Sequence, residues 1–420
     1  MDKALREKGF IAAVSRLSHG RNNALQDCRA CHSWGSAVRV LMVSDVYFPR
    51  VNGVSTSIQT FRSDLAAHGC ESWLIAPQYP GAWPDDERVL RQPSRYVLFD
   101  PEDRMMVGSA VRAECRRLAR EVDAVHVQTP FAAHGAGVAA ARAANRPVLE
   151  TSHTYFEEYF HHYLPIAPRA LLRALARAIS RRQCNAVDAV IAPSRQLADV
   201  LRGYGVGTRI DVIPTGLDLT EFTAGDGGRF RRRHHIAPER PVLLVVGRVA
   251  HEKNIGFLLR VLAAVRSEVP DVLLVIAGEG PACKSLERDA AGAGLKGNVL
   301  FVGYLDRRAG LLDCYRAADV FVFASRTETQ GLVLLEALAL GLPVVSTAVL
   351  GTQEVLADAR GAMVVAEDVA QFGRAVVRVL RDPDLRQALS RAGPAHVAAR
   401  WSSAEMARRL LQLYADLTQR

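Results

Sequence analysis

Two basic side chains, Arg248 and Lys253, stand close together just after an apolar run of the sequence. An arginine guanidinium offers a planar fork of donors that fits phosphate oxygens, whereas a lysine ammonium supplies a compact positive charge. Lys253 is also one of only five lysines in a chain whose basic residues are mostly arginine. The pair therefore predicts a site for a diphosphate; the alternative is an ordinary solvated loop.

Two glutamates, Glu328 and Glu336, are eight residues apart, with Gly331 between them. Glu336 falls within an apolar helical pattern, where a carboxylate is costly unless it is paired or binds a ligand. Carboxylates accept several hydrogen bonds and suit the hydroxyl groups of a sugar. A capping interaction for one glutamate and a core salt bridge for the other is the structural alternative.

A glycine and a histidine are further candidates. Gly53 stands just before a helical pattern that Ser55 is expected to cap, so backbone amides there could approach an anion at the positive end of a helix. Most such glycines only form a turn. His153 follows an apolar run that reads as a strand, and an isolated histidine in that position is commonly structural.

Parallel strands are needed to position these residues. Short, continuous Val/Ile/Leu runs alternate with amphipathic stretches in two series, which is typical of strands buried on both faces. The runs are Val38–Ser44, Ser72–Ala76, Ala124–Gln128, Pro147–Ser152, Ala189–Ala192 and Asp211–Ile213, then Val242–Val246, Leu273–Ala277, Val299–Val302, Val320–Ala324, Val344–Ser346 and Ala362–Val365. They predict two doubly wound α/β domains, whose loops would face each other across a cleft.

The limits of these domains follow from interruptions in the pattern. Residues 1–37 lack a convincing partner strand and are predicted to be a poorly structured tail. Glycines, a basic cluster and two prolines interrupt the pattern in Thr223–Arg240, which predicts domains over 38–225 and 226–395.

Several short motifs together resemble family 4 of the retaining glycosyltransferases. They are Gly247–Arg248, Glu252–Asn254, Ala277–Gly280 and Glu328–Glu336, and the similarity runs from Val38 to about Thr347. The resemblance implies the GT-B fold, in which two Rossmann-like domains face each other across a cleft. It also implies that a last helix, within 396–420, returns to the first domain.

The resemblance assigns roles to the candidate residues. Glu328 would bind hydroxyls of the transferred sugar, Glu336 the donor ribose, and His153 would be the active-site histidine near that sugar. The groups expected to bind the donor diphosphate are Gly53, Arg248, Lys253, Gly331 and Leu332. GT-B enzymes generally need no metal, and no Asp-x-Asp motif stands convincingly at a strand end, so no metal or other cofactor is expected.

The segment after His153 resembles the corresponding part of the diacylglycerol glucosyltransferase branch of the family. Its aromatic residues include Tyr155 and Tyr159, which suit a membrane interface but could equally line a sugar pocket. The resemblance thus favours a lipid acceptor such as diacylglycerol and a donor such as UDP-glucose.

The helical pattern that follows is amphipathic. An arginine recurs every four residues, and an apolar stripe of Leu171, Leu172, Leu175 and Ile179 falls on the other side. The arginines are Arg169, Arg173, Arg177 and Arg181. Such a helix is typical of binding to an anionic membrane surface, at about 1 kcal/mol per basic residue. The alternative is a surface helix that packs on its own domain.

Overall composition narrows the function further. The net charge of +9 favours an anionic partner, but no nucleic-acid-binding module is present. No apolar run approaches the ~20 residues of a membrane span, and the first ten residues lack a signal-peptide pattern, so a cytoplasmic enzyme on the inner face of the membrane is expected. Seven cysteines without framework spacing predict reduced thiols.

Other functions remain as alternatives. One is a GDP-mannose- or UDP-sugar-dependent glycosyltransferase with a soluble or polyprenyl-linked acceptor in surface polysaccharide synthesis. A dehydrogenase is disfavoured because the first strand leads to Pro49 and Gly53 and not to a Gly-x-Gly-x-x-Gly loop. A non-catalytic sensor of nucleotide sugars is disfavoured because the donor-site residues and His153 are all present.

Overall fold

A computed structural model describes residues 38–81, 83–97, 100–155, 157, 168–306 and 310–419. Two parallel sheets with helices packed against them dominate the fold, as predicted, and a two-stranded antiparallel sheet accompanies the first of them. The predicted N-terminal tail, 1–37, lies outside the described residues. The domain limits at 225/226 and 395/396 stay predictions.

Seven of the first nine strands form the first sheet, in the order β3-β2-β1-β6-β7-β8-β9. The nine strands are β1 (Arg39–Val43), β2 (Glu71–Pro77), β3 (Val89–Gln92), β4 (Ser94–Val97), β5 (Asp100–Met106), β6 (Ala124–Val127), β7 (Val148–Thr151), β8 (Ala189–Ala192) and β9 (Ile210–Val212). The helices among them are α1 (Gly53–Ala67), α2 (Gly108–Leu118), α3 (Ala132–Ala143), α4 (Arg169–Cys184) and α5 (Arg195–Gly203). Strands β4 and β5 pair antiparallel.

The second sheet has six parallel strands in the order β12-β11-β10-β13-β14-β15. They are β10 (Val242–Val246), β11 (Leu273–Ala277), β12 (Val299–Gly303), β13 (Val320–Phe323), β14 (Val344–Ser346) and β15 (Ala362–Val364). The helices are α6 (Gly227–Arg233), α7 (Ile255–Arg266), α8 (Cys283–Gly292), α9 (Gly310–Ala317), α10 (Leu332–Ala339), α11 (Gly351–Val355), α12 (Val369–Arg381), α13 (Pro383–Arg400) and α14 (Ser403–Thr418). In both sheets the strand order reverses beside the first strand, which is where doubly wound sheets bind ligands.

Each sheet has its own hydrophobic core. Alternate residues of β1 point to opposite faces of the first sheet: Leu41 and Val43 join one cluster, and Val40 and Met42 join the other. The cluster around the second sheet draws on side chains from Leu217 to Trp401. Burial on both faces explains why these strands read as continuous apolar runs.

The last helix, α14, packs against α1 of the first domain. Its Tyr414 is fully buried, and the Tyr414 hydroxyl lies 2.7 Å from Nδ1 of His126 on β6. The chain passes between the domains twice, near Leu217 and near Trp401. The two passages lie side by side, since Leu217 N donates to Trp401 O (2.7 Å) and Ser403 N donates to Leu217 O (3.1 Å). These contacts hold the end of the chain on the first domain.

The predicted strands all occur, but three others were not predicted. Strand β3 and the hairpin β4–β5 are rich in polar residues, so they lack a continuous apolar run. Helix α1 also begins earlier than its predicted Ser cap. Asn52 caps it by accepting from Ser55 N at 2.9 Å, while the Ser55 hydroxyl donates to Arg50 O at 2.6 Å.

Two further expectations concern the membrane and the cysteines. Within the described ranges, no helix is both long and apolar enough to cross a membrane. The five cysteines in those ranges, Cys70, Cys115, Cys184, Cys283 and Cys314, are free.

Candidate active site

Lys253 and Glu328 meet at the carboxyl edge of the second sheet. They lie in the segments that leave the neighbouring strands β10 and β13, at the point where the strand order reverses. Nζ of Lys253 lies 2.5 Å from Oε1 of Glu328, and each side chain keeps about a fifth or less of its surface exposed. Nδ2 of Asn254 donates to the carbonyl oxygen of Ala324 at 3.2 Å, which ties the two segments together again. The site thus has a positive and a negative group at the preferred position for a ligand.

The loop that carries Arg248 is shaped by the loop after β11. Val249 N donates to Glu279 O at 2.8 Å, and Ala282 N donates to Val249 O at 3.0 Å. A Cβ on Gly278 would lie 1.9 Å from the Gly247 carbonyl oxygen, so only glycine permits this approach. Nη1 of Arg248 lies 3.9 Å from Oε1 of the buried Glu252, and about a third of the arginine side chain is exposed. The guanidinium therefore lies near a carboxylate and remains accessible.

Gly331 and Leu332 form the start of α10. Gly331 caps the helix with a left-handed backbone (φ +97°), a conformation that favours glycine. The first amides of a helix have no partners within it and carry the positive end of the helix dipole. Gly351 N donates to the Glu328 carbonyl oxygen at 3.0 Å and fixes the preceding loop. This helix start can receive an anion beside Lys253 and Glu328.

Glu336 lies inside α10 with only 1% of its surface exposed. The hydroxyl of Tyr315, also buried, donates to Oε2 of Glu336 at 2.9 Å. This bond offsets part of the cost of burying the carboxylate. Tyr315 on α9 was not among the predicted site residues.

His153 lies just beyond the carboxyl end of β7 in the first domain. Its Nε2 is 2.9 Å from the amide oxygen of Gln128, and since that oxygen only accepts, Nε2 carries the proton. Burial lowers the pKa of His153 to about 4, so the ring is neutral at pH 7. The His153 carbonyl oxygen accepts from Oγ1 of Thr329 at 2.9 Å, which brings this histidine to the loop of Glu328.

Gly53 occupies the first turn of α1 and is exposed. A Cβ at this position would meet nothing within 4 Å, so packing alone does not require a glycine here. Open space at a helix start is compatible with an anion. The buried Ser57, one turn further along α1, accepts from the Thr215 hydroxyl at 2.7 Å.

A separate cluster around the buried Glu157 contains three of the predicted acceptor-side residues. Arg177 binds Glu157 with Nη2 at 2.6 Å and Nε at 3.0 Å, and Nε of Arg173 lies 3.8 Å away. The Tyr204 hydroxyl donates to the same carboxylate at 2.6 Å. Hydrogen bonding to Arg177 lowers the pKa of Glu157. Tyr155, the third of these residues, lies nearby and packs against the core of this domain. The Glu157 carboxylate therefore neutralises part of the positive charge of Arg173 and Arg177. The sequence had suggested that all of this charge was available to bind a membrane.

Helix α4 exposes only part of its predicted apolar stripe. Leu171 and Leu175 are 62% and 45% exposed, whereas Leu172 is buried together with Ala176. The stripe predicted from Leu171 to Ile179 is therefore split between the core and the surface. Arg181 lines a surface groove with Arg173, Arg177 and Tyr204. Arg169 begins the helix, and Tyr159 lies outside the described residues.

Several residues that shape the site were not singled out from the sequence. They are Gln128, Asn254, Thr215, Tyr315, Thr329 and Gln330. Asn254 ends the Glu252–Asn254 motif, and Thr329 and Gln330 lie within the Glu328–Glu336 motif, so their polar side chains beside charged residues were a usable signal. Among the residues that the structure describes, no group of three or more His, Cys, Asp or Glu side chains could hold a metal ion.

Comparisons with known proteins give matches over most of the chain. The family model described as Glycosyltransferase Family 4 matches residues 51–221, and the one described as Glycosyl transferases group 1 matches residues 228–396. The chain is 33% identical to the alpha-monoglucosyldiacylglycerol synthase of Streptococcus pneumoniae, over 74% of this chain and 71% of that protein.

Two further similarities extend over more of the chain. It is 30% identical to the GDP-mannose-dependent alpha-(1-6)-phosphatidylinositol monomannoside mannosyltransferase of Mycolicibacterium smegmatis, over 89% of this chain and 97% of that protein. Among solved structures, sucrose-phosphate synthase from Thermosynechococcus elongatus superposes with a TM-score of 0.75 at 23% identity, over 91% of this chain and 99% of that one. The last match concerns the fold alone.

Proposed function

Because this chain belongs to glycosyltransferase family 4 and is a glycosyltransferase with the GT-B fold, we propose that it transfers a hexose from a nucleotide diphosphate sugar to a membrane lipid. UDP-glucose or a similar donor and diacylglycerol are the proposed substrates, by similarity to the relative from Streptococcus pneumoniae. The proposed place of action is the cytoplasmic face of the membrane.

The proposed donor site follows the geometry at the edge of the second sheet. Arg248 and Lys253 bind the diphosphate together with the amides of Gly331 and Leu332, and the start of α1 at Gly53 faces the same anion. A cluster of fixed donors and positive charges stabilises a diphosphate as it leaves. Support comes from the accessible Arg248 and from Lys253, which reaches the same loop as Gly331.

Two glutamates and one histidine bind the rest of the donor in this proposal. Glu336 accepts hydrogen bonds from the ribose, Glu328 accepts them from the hexose, and His153 contacts the hexose from the first domain. The neutral His153 ring suits contact with an uncharged sugar, because Nε2 donates to Gln128 and Nδ1 can accept a hydrogen bond from a sugar hydroxyl.

The proposed reaction retains the configuration at the anomeric carbon. The acceptor oxygen approaches the anomeric carbon on the face from which the diphosphate departs, through an oxocarbenium-like state. The bond from that carbon to the diphosphate oxygen breaks with its electron pair going to the diphosphate, and the bond to the acceptor oxygen forms. The acceptor proton passes to a diphosphate oxygen, and the products are a glycolipid and a nucleoside diphosphate.

Binding to an anionic lipid surface is proposed for the exposed side of α4. Leu171 and Leu175 provide apolar surface, and Arg169 and Arg181 lie at opposite ends of the same helix. Apolar side chains flanked by arginines are the expected composition of an interfacial helix. Tyr155 and Tyr159 belong to the proposed acceptor side. No specific nucleic acid is proposed as a partner.

The observation that carries the function is the ion pair of Lys253 and Glu328 beside the start of α10. A direct test incubates the purified chain with labelled UDP-glucose and vesicles containing diacylglycerol, and analyses the lipid product by NMR at the anomeric carbon. An α-linked glucolipid is expected. Absence of any labelled lipid, or a product of inverted configuration, would refute the proposal.

The long match to the mannosyltransferase favours one alternative, in which GDP-mannose is the donor and another lipid is the acceptor. The same assay with labelled GDP-mannose and phosphatidylinositol vesicles separates the two. A soluble or polyprenyl-linked acceptor is the remaining alternative, and product in the absence of vesicles would favour it.

A further inference from the structure

The loop between β13 and α10, residues 324–331, carries Glu328 and is called the Glu328 loop below. Two adjacent residues of this loop, Thr329 and Gln330, make hydrogen bonds to the first domain. Oγ of Ser194 donates to Thr329 O at 2.7 Å, and Oγ1 of Thr329 donates to His153 O at 2.9 Å. Ser194 also caps α5 by accepting from Leu197 N. The segment beside Glu328 is therefore held by the first domain as well as by its own sheet.

The side chain of Gln330 makes the most specific of these contacts. Its Oε1 accepts from Thr215 N at 2.9 Å, and its Nε2 donates to Thr215 O at 2.7 Å. Both ends of the amide are thus used on the backbone of one residue. Gln330 and Thr215 are only 5% and 4% exposed. Buried polar groups cost free energy if they lose their partners, so this pairing strongly favours the observed arrangement of the domains.

Thr215 in turn contacts helix α1. Its hydroxyl donates to Oγ of Ser57 at 2.7 Å, and Ser57 is 2% exposed. The three side chains form a buried series from the Glu328 loop to the helix that begins at Gly53. The proposed donor-binding groups of both domains are therefore connected by it.

We propose that Gln330 is a positioning residue, which sets the Glu328 loop against His153 so that both contact the same hexose. The inference rests on the proposed function for what is bound, but it concerns a residue that has no role in binding the donor. Gln330 acts through the loop and through Thr215. Its effect should therefore fall on the rate of transfer, while the second domain continues to bind the nucleotide.

The test compares two substitutions of nearly equal volume. Gln330→Met retains the shape but neither hydrogen bond, and Gln330→Glu retains an acceptor for Thr215 N but places a carboxylate against Thr215 O. Both should lower kcat at least about tenfold, the effect of losing roughly 1.4 kcal/mol of transition-state stabilisation, and leave the Kd for UDP within about threefold. Equal losses in kcat and UDP affinity, or no loss in either, would overturn the proposal.

Glu354→Ala is the matched control. Glu354 accepts from Arg195 N at 2.7 Å, which is another contact between the domains, but it lies on α11 and outside the loop. We expect kcat within about twofold of the parent at equal folded fraction, because the loop is unchanged. A loss as large as that of Gln330→Met would mean that any contact between the domains serves equally well.

A second measurement does not depend on the reaction. Small-angle scattering of the parent and of Gln330→Met, with and without UDP, reports the separation of the domains. The variant should show a larger radius of gyration in at least the free form. An unchanged radius in both forms would overturn the inference, whereas failure of the parent to transfer sugar would refute only the proposed function.

Discussion

The ammonium of Lys253 and the carboxylate of Glu328 form an ion pair between segments that leave adjacent strands of the second sheet. Their proposed ligands differ, since Lys253 is assigned to the diphosphate and Glu328 to the hexose. Neither UDP nor GDP carries the hexose, so nucleotide binding can separate the two roles.

Lys253→Ala should weaken UDP binding about tenfold or more, because a hydrogen bond to a charged group contributes roughly 1.5–3 kcal/mol. Glu328→Gln should leave the Kd for UDP within about threefold and lower kcat roughly a hundredfold. Calorimetry measures the first quantity and steady-state transfer the second. Equal loss of UDP affinity in both variants would contradict the separate assignments.

The exposed leucines of α4 predict a loss of membrane binding on substitution. The double change Leu171→Ser and Leu175→Ser should reduce flotation with anionic vesicles about tenfold or more, because two apolar side chains would no longer enter the interface. Val364→Ser, which alters a 45% exposed apolar residue of the second sheet, is the matched control and should float like the parent. Unchanged flotation of the double variant would exclude α4 as the contact.

The low pKa of His153 predicts a pH profile without a histidine step near neutrality. The ring stays neutral until the pH approaches about 4, because burial disfavours its charged form. kcat/KM should therefore show no ionisation near pH 6.5 that can be traced to His153. An acidic limb near 6.5 that disappears in His153→Asn would contradict this expectation.

Asp45→Asn should make the protein lose stability more steeply on mild acidification. Burial raises the pKa of Asp45 to about 6, so its contribution to stability is present below its unfolded value near 3.8 and is lost as the pH rises through 6. Burial instead lowers the pKa of His126 to about 3, so its contribution is present above about 6.5 and is lost as the pH falls. The two effects oppose each other between about pH 6 and 4.

Removing the Asp45 carboxylate leaves the histidine effect unopposed. Urea unfolding at pH 7, 6 and 5 should show a steeper fall of the unfolding free energy for Asp45→Asn than for the parent, by up to about 1.4 kcal/mol per pH unit. Parallel curves would show that Asp45 does not retain a proton in the fold.

The contact of the last helix can be tested by Tyr414→Phe. The change removes the hydroxyl that lies 2.7 Å from the fully buried His126, and it should lower the free energy of unfolding by about 1–3 kcal/mol. Tyr96→Phe is a control on a 63% exposed tyrosine and should cost less than about 0.5 kcal/mol. Equal stability of the two variants would mean that the buried bond contributes nothing.

The sequence predicts the main strands because each is an apolar run buried on both faces, as β10 and β11 show. It also identifies Lys253 and Glu328, since their residue types suit a sugar diphosphate and they follow predicted strands. The same pattern does not predict the short strand β3, because β3 lies at the edge of the sheet and its residues are only half-buried.

Contacts between distant segments could not be predicted in the same way. Gln330 pairs with Thr215, 115 residues earlier, and nothing in the local pattern of either residue indicates the other. Arg177 similarly reads as a surface arginine until the fold places Glu157 beside it. Helical periodicity places side chains on a face of a helix, but it does not show what that face will meet.

The two crossings between the domains also bear on how such an enzyme can be re-engineered. Leu217 is hydrogen-bonded to both Trp401 and Ser403. The segment that forms the second domain therefore begins and ends at the same place in the structure. Exchanging the intervening segment for that of a relative with another sugar donor would create two junctions at a single seam. A chimera of this kind would keep the first domain whole, because α14 packs against α1 after the second junction.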